Sequence, residues 1–288
     1  MTKNKTLLDQ FDLSAVTTIW TGAAPLGKET AEDLNKMYPS WKIRQGYGLT
    51  ETCTVVCSSA ADDIWFGSSG SLLPGYEVKL ITIEGQEITG YDQPGELLAK
   101  SPSVVLGYLN NDKANTETFV DGFMRTGDEA LIKKSPNGHE HIFIVDRIKE
   151  LIKVKVSCYC SWAPDLDPMI LTRMIQGLQV APAELEAHLL AHPAVNDCAV
   201  IPVPDDAAGE VPKAFVVRSA NSGGLEDSPR LLMREIQKHV EEHKARHKWL
   251  KGGVEFVDVI PKSASGKILR RLLRDKEKES RRKAGARL

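Results

Sequence analysis

The chain reads as an α/β unit carrying a small β-barrel, followed by a compact α+β unit, and three stretches of sequence predict this. TTIW at 17–20 is a short apolar run that feeds a Gly/Pro turn, and 28–38 has helical spacing directly after it. From 67 to about 134, short alternating apolar runs (76–83, 95–99, and 143–145 just beyond) are broken by Gly, Pro, Asn and Asp, the texture of a small barrel. The last hundred residues order a helix at 183–191, strand-like runs at 195–203 and 213–217, and a long amphipathic helix at 229–248. A charged connector at 146–155 joins the two halves.

Apolar residues make up 42% of the chain and charged residues 26%, the balance of a soluble globular protein with material for a core. Lys and Arg number 37 against 39 Asp and Glu, so no general attraction to nucleic acid or to an anionic membrane is expected. Cys53, Cys57, Cys158, Cys160 and Cys198 show no paired zinc spacing, and no secretory leader precedes them, which points to reduced thiols inside a cell. No apolar run is long enough to span a bilayer.

Five motifs carry chemistry: GAAPLG at 22–27, QGYGLTET at 45–52, RTGD at 125–128, DRIKELIK at 146–153 and PKSASGKILR at 261–270. Gly22, Ala23 and Ala24 are small enough for backbone to approach a flat heterocycle, and Pro25 fixes the turn. Tyr47 offers a ring face, Thr50 a hydroxyl for phosphate, and Glu51 a carboxylate suited to a hard cation. Asp128 can accept two hydrogen bonds from a ribose diol. Arg147, by residue type alone, reads as a plain surface ion pair. Ser263, Ser265 and Gly266 make a loop able to project the Lys267 ammonium between two anions; the plainer reading is a basic helix start.

In this order the motifs resemble those of the adenylate-forming superfamily of acyl-CoA synthetases, 4-coumarate:CoA ligases, luciferases and peptide-synthetase adenylation domains. The resemblance implies the C-terminal part of a large AMP-binding domain at 1–148, a small mobile domain at 149–274, and a charged tail at 275–288. It implies an ATP-dependent carboxylic acid:CoA ligase using ATP/AMP, Mg²⁺ and coenzyme A on a small carboxylic acid. The acid would attack the α-phosphorus of ATP, and the coenzyme A thiol would then take the acyl group from the adenylate. By the same resemblance Gly22, Ala23, Ala24, Gln45, Gly46, Tyr47, Gly48, Asp128 and Arg147 hold the nucleotide, and Thr50 and Glu51 work at its phosphates, with Glu51 the Mg²⁺ ligand. Lys267 serves adenylation, Lys149 is the hinge, and Gly177 and Gln179 belong to the thioester half-reaction.

The chain also departs from that pattern. The Ser/Thr/Gly-rich phosphate loop expected well before GAAPLG is missing, so the resemblance covers a back half: the β/γ-phosphates lose their cradle and the acyl pocket most of its walls. Exposed apolar surface and aggregation are expected to follow. The alternatives are a non-catalytic remnant and a carrier-protein-loading adenylation domain, the latter disfavoured because no phosphopantetheine-carrying domain follows. After Arg147, Lys149 and the six residues 150–155, the expected Gly-x-x-Val is replaced by Val156-Ser157-Cys158-Tyr159 and arrives only at Gly177. Removing 156–176 restores the motif, so this stretch is expected to be a translated intron, with a genuine surface loop as the alternative.

Three further expectations concern the C-terminal half. Ala286, Arg287 and Leu288 form a variant of the S-K-L address, implying a peroxisomal import receptor and a peroxisomal location, otherwise a cytoplasmic one. His239, His243 and His247 recur every four residues among Lys and Glu and read as a solvated stripe, with metal binding the less favoured alternative. The basic run at 270–283 reads as an exposed tail helix. Which acid is used lies in the missing walls, and a degradative or secondary-metabolic acid is expected only by analogy.

Overall fold

The computed structural model describes residues 8–24, 26–154, 178–219, 228–264 and 266–285. The chain divides into two compact units, Met1–Lys149 and Glu150–Leu288. Each has its own apolar cluster.

In the first unit, β1 (Thr18–Thr21) pairs in parallel with β2 (Lys42–Leu49) across helix α1 (Lys28–Met37). Ala31 and Leu34 of α1 are buried, as are Trp41 and Ile43 at the start of β2, so the helix lies on its strand by one apolar stripe. Strands β3 (Thr54–Ser58) and β4 (Ser71–Leu72) add antiparallel, giving the order β1-β2-β3-β4. The expected barrel texture resolves into a second, antiparallel sheet. It contains β5 (Glu77–Ile81), β6 (Glu87–Ile88), β7 (Gly95–Lys100), β9 (Phe123–Lys134) and β10 (Glu140–Arg147), in the order β10-β9-β7-β5-β6. A short helix α2 (Asp112–Thr118), capped by the Asn111 side chain on Ala114 N at 3.2 Å, leads into β8 (Phe119–Val120) beside β9.

Cys57 of the first sheet and Leu80, Leu97, Ala130 and Ile142 of the second form one core. A buried polar knot reinforces it. Asp63 Oδ2 accepts from Ser135 Oγ at 2.8 Å and lies 2.7 Å from His139 Nδ1 and 3.2 Å from His141 Nε2. His141 Nδ1 lies 3.0 Å from Ser68 Oγ. Ser68, His141 and Asp63 follow the order of a hydrolase triad, but all three are buried, and Ser68 Oγ is also bound to Gly70 N. The group is a clamp between the 63–70 segment and β10.

The second unit is a sheet of β11 (Ile152–Val154), β12 (Leu178–Val180), β13 (Val195–Asp205), β14 (Gly209–Arg218) and β15 (Val254–Phe256). The order is β12-β11-β14-β13, with β15 parallel to β14. Helices α3 (Pro182–Leu190), α4 (Pro229–His243) and α5 (Arg270–Gly285) cover it. Leu185 and Leu189 of α3, Leu232, Ile236 and Val240 of α4, and Leu273 of α5 are the buried stripes.

Four expectations change here. The connector at 146–155 is strand at both ends, because Asp146 and Arg147 pair with β9 and 152–154 form β11. The long helix stops at His243, where Lys244 turns extended; Lys244 and Lys248 then both reach Glu184, at 3.1 and 2.6 Å, and Trp249 Nε1 donates to Lys244 O. The histidine stripe is solvated only in part: His243 is exposed, but His239 stacks on His188 of α3 with ring centroids 4.2 Å apart, and His247 falls beyond the helix end. Burial of His188 in this stack, with the neighbouring charges, holds its imidazole below its ordinary pKa.

The basic tail is exposed over most of its surface but docks by one face, and its helix crosses 274/275 without a break. Arg270 binds Glu186 through both carboxylate oxygens at 2.8 and 2.7 Å, and Arg274 binds Glu150 at 2.9 and 2.7 Å. Buried Glu277 pairs with Lys213, which also holds Glu255 at 2.8 Å. Charges spaced along one helical face thus meet opposite charges on α3, before β11 and on β14. The stretch at 156–176, Lys155, Gly177, Pro25, Ser265 and the terminal Ala286, Arg287 and Leu288 lie outside the described residues.

Candidate functional site

The parallel pairing of β1 with β2 ends at Thr21 and Gln45, while β2 runs on to Leu49, and the first two motifs begin at that point. The register runs Thr18↔Lys42 to Thr21↔Gln45, so Gly22, Ala23 and Ala24 leave β1 beside Gln45 and Gly46. Open sheets of this kind bind ligands at that edge. The small residues are required by close packing as well. A Cβ on Gly48 would lie 1.5 Å from Thr54 O, where a bulge between Tyr47 and Gly48 brings β2 against β3. A Cβ on Gly46 would meet the Trp20 ring at 2.5 Å. Gln45 is pinned through its backbone, with Ser59 N donating to Gln45 O at 2.8 Å. Ala23 adopts φ +64°, a left-handed turn conformation uncommon outside Gly.

From this edge the Tyr47 hydroxyl donates to Asp128 Oδ2 at 2.6 Å. Asp128 Oδ1 lies 3.4 Å from Arg147 Nε, its register partner across β9 and β10. Thr126 Oγ1 accepts from Asp128 N at 3.1 Å and donates to Leu97 O at 2.7 Å, fixing the turn. Asp128 is 4% exposed. Burial, then the Asp128 charge, pushes the Tyr47 phenol well above its ordinary range, so Tyr47 stays a neutral donor. Sequence reasoning gave Tyr47 a ring-face role and missed this hydroxyl contact.

Glu51 follows in the same motif, with Tyr108 OH donating to its Oε1 at 2.8 Å and Val105 N to its carbonyl at 2.9 Å. Burial and then Glu51 raise the Tyr108 phenol, while the Arg147 charge opposes them. Thr50, at the start of a 3₁₀ turn, is exposed. Tyr108 and Thr126 were not foreseen; the signal for Thr126 was its place two residues before Asp128 in RTGD.

The remaining predicted residues are placed separately. Lys149 is exposed and is the last residue of the first unit. In the second unit, Ser263 N donates to Lys267 O at 2.8 Å and Lys267 N to Ser263 Oγ at 3.2 Å, with Lys262 bridged to Ile268. Lys267 therefore sits on a tight reversal, exposed, with Gly266 at φ +84° beside it. Lys262 Nζ anchors the base of this reversal on Asp197 Oδ2 at 2.6 Å. Gln179 is exposed on β12 opposite Lys153, and Gly177 is outside the described residues.

Close-packed glycines thus edge the end of the parallel pair, and a buried carboxylate stands between a phenol and a guanidinium. The chain belongs to the AMP-binding enzyme family: residues 1–109 match the AMP-binding enzyme domain and 184–267 its C-terminal domain. It is 46% identical to the acyl-CoA ligase lcsD of Purpureocillium lilacinum over 99% of this chain and 68% of that protein. It is 45% identical to the acyl-CoA ligase cm3C of Cordyceps militaris over 95% of this chain and 40% of that one. The anthranilate CoA ligase AuaEII, solved with anthranoyl-AMP, matches with TM-score 0.75 and 29% identity over 93% of this chain and 46% of its own. The chain therefore spans about half the length of most of the relatives it matches.

Proposed function

We propose that this chain acts in the ATP-dependent ligation of a carboxylic acid to coenzyme A, with nucleotide held on the first unit and Lys267 supplied by the second. The observation that carries this reading is the linked group of Tyr47, Asp128 and Arg147 beside the ends of β1 and β2. Asp128 is the acceptor for a ribose diol: each carboxylate oxygen offers about two lone-pair sites, so ribose joins or replaces the phenol and guanidinium already there. Arg147 supplies a cation that phosphate can share. Glu51, with Tyr108 holding Oε1, presents a carboxylate of the hard-oxygen type that suits Mg²⁺, which when bound would neutralise phosphate charge.

In the proposed reaction a carboxylate oxygen bonds to the α-phosphorus as the bond to pyrophosphate breaks. The coenzyme A sulfur then bonds to the acyl carbon as AMP leaves. Lys267 neutralises the charge that builds at phosphorus in the first step, and Lys149 is the hinge between the two steps. Calorimetric titration with AMP tests the nucleotide site: saturable binding is expected, weakened at least about tenfold, or about 1.4 kcal/mol, in Asp128→Asn and Arg147→Ala. ATP–pyrophosphate exchange with the acid supplied tests Lys267, whose replacement by Ala should abolish exchange and leave AMP binding intact. Unchanged AMP affinity in both site variants would refute the nucleotide assignment. Acyl transfer to a carrier protein but not to free coenzyme A would replace the CoA-ligase reading.

A further inference from the structure

A cluster of imidazoles lies outside every motif described above. His188 and His192 on and just after α3 face His239 and His243 of α4. One ring nitrogen from each of His188, His239 and His243 lies within 4.8 Å of the other two. The ring of His192 stands edge-on to His239 at 5.1 Å and closes one side.

Each of the three converging rings also has a nitrogen against a main-chain carbonyl. His188 Nε2 is 3.2 Å from His239 O, His239 Nε2 is 3.3 Å from His188 O, and His243 Nδ1 is 2.9 Å from His239 O. A carbonyl oxygen only accepts, so these nitrogens carry the proton and the opposite nitrogen of each ring keeps its lone pair. An imidazole fixed by a carbonyl at one nitrogen, with the other available, is the usual state of a metal-ligating histidine. Lys244, whose charge reaches His188, is itself bound to Glu184 at 3.1 Å, which reduces its opposition to a cation.

We propose that His188, His239 and His243 form a site for one divalent transition-metal ion of the zinc, cobalt or nickel class, joining α3 to α4. Imidazole selects these borderline ions over Mg²⁺ and Ca²⁺, which take oxygen, so the site is distinct from the carboxylate assigned to Mg²⁺ in the first unit. Nitrogens around a tetrahedral ion sit roughly 3.3 Å apart, given metal–nitrogen bonds of about 2.0 Å. Binding therefore draws the rings together by side-chain rotation and takes His188 and His239 out of their parallel stack. The ion's partners come from two helices far apart in sequence, so its binding adds to the stability of the second unit.

Cobalt(II) titration of the full chain, followed by visible absorption, tests the site. The expected result is saturation at one ion per chain, a d–d band without thiolate charge transfer, and a raised melting temperature. His243→Ala, at an exposed position, and His239→Ala should each weaken binding at least about tenfold, while His247→Ala leaves it unchanged. The absence of a saturable band, thiolate charge-transfer absorption in its place, or equal affinity in His243→Ala would overturn the proposal. If His239→Ala fails to fold, His243→Ala alone decides.

Discussion

Asp63 shows what one buried carboxylate does in the first unit. Burial pushes its pKa up, but hydrogen bonds from His139, Ser135 and His141 outweigh it and hold the group at about 2, against an ordinary 3.8. A pKa lower in the folded state means the folded protein binds fewer protons there, so the contribution is complete above about pH 4 and is lost as pH falls toward 2. In acid unfolding followed by circular dichroism, Asp63→Asn is therefore expected to flatten the pH dependence of stability between about 4 and 2; an unchanged slope in that window would remove Asp63 from the account. None of this was legible in the sequence, since Asp63 and His141 lie 78 residues apart and belong to no motif. The same limit applies to Tyr47. QGYGLTET identified the residue and its neighbours, but its hydroxyl partner Asp128 is 81 positions away, and only the fold brings β9 under β2. Motif spacing pointed to residues near the end of the parallel pair, and long-range pairing determined which of their atoms meet.

At the scale of elements, the strands flanking 155–177 constrain what can join them. β11 and β12 pair antiparallel with Ile152↔Val180, Lys153↔Gln179 and Val154↔Leu178, so the two strands face each other on either side of 155–177. Taking out 156–176 would leave Lys155-Gly177 as a two-residue connection between Val154 and Leu178, a length that antiparallel hairpins favour. The motif repair seen in the sequence and the strand register agree on the same junction. The deletion protein is expected to fold with β11–β12 intact and to gain roughly 2 kcal/mol from the smaller loop-closure entropy, read as a higher urea midpoint at unchanged m-value. A lower midpoint would show that 156–176 contributes to the fold. Helices with strong apolar spacing, α1, α3 and the first four turns of α4, were legible because burial follows the 3.6-residue period. The end of α4 and the docking of α5 were not, because Glu184, Glu186 and Lys213 hold them through ion pairs that local pattern does not contain.

For the molecule as a whole, the surface of the first unit is the feature with the largest consequence. Among the described residues β1 pairs only with β2, so its other edge carries main-chain groups with no strand beside them. Trp20 on that strand is 49% exposed, and Leu106 and Leu109, in the loop that brings Tyr108 to Glu51, are almost wholly exposed. Free strand edges and clustered apolar side chains both promote association. The chain on its own is therefore expected to self-associate with increasing concentration in sedimentation velocity. Leu106→Glu with Leu109→Glu should raise the monomer fraction without lowering the melting temperature, because neither side chain is packed in the core. Self-association that persists undiminished in the double variant would assign it to the β1 edge. A monodisperse wild-type monomer with a cooperative melt would show instead that these surfaces are tolerated as they stand.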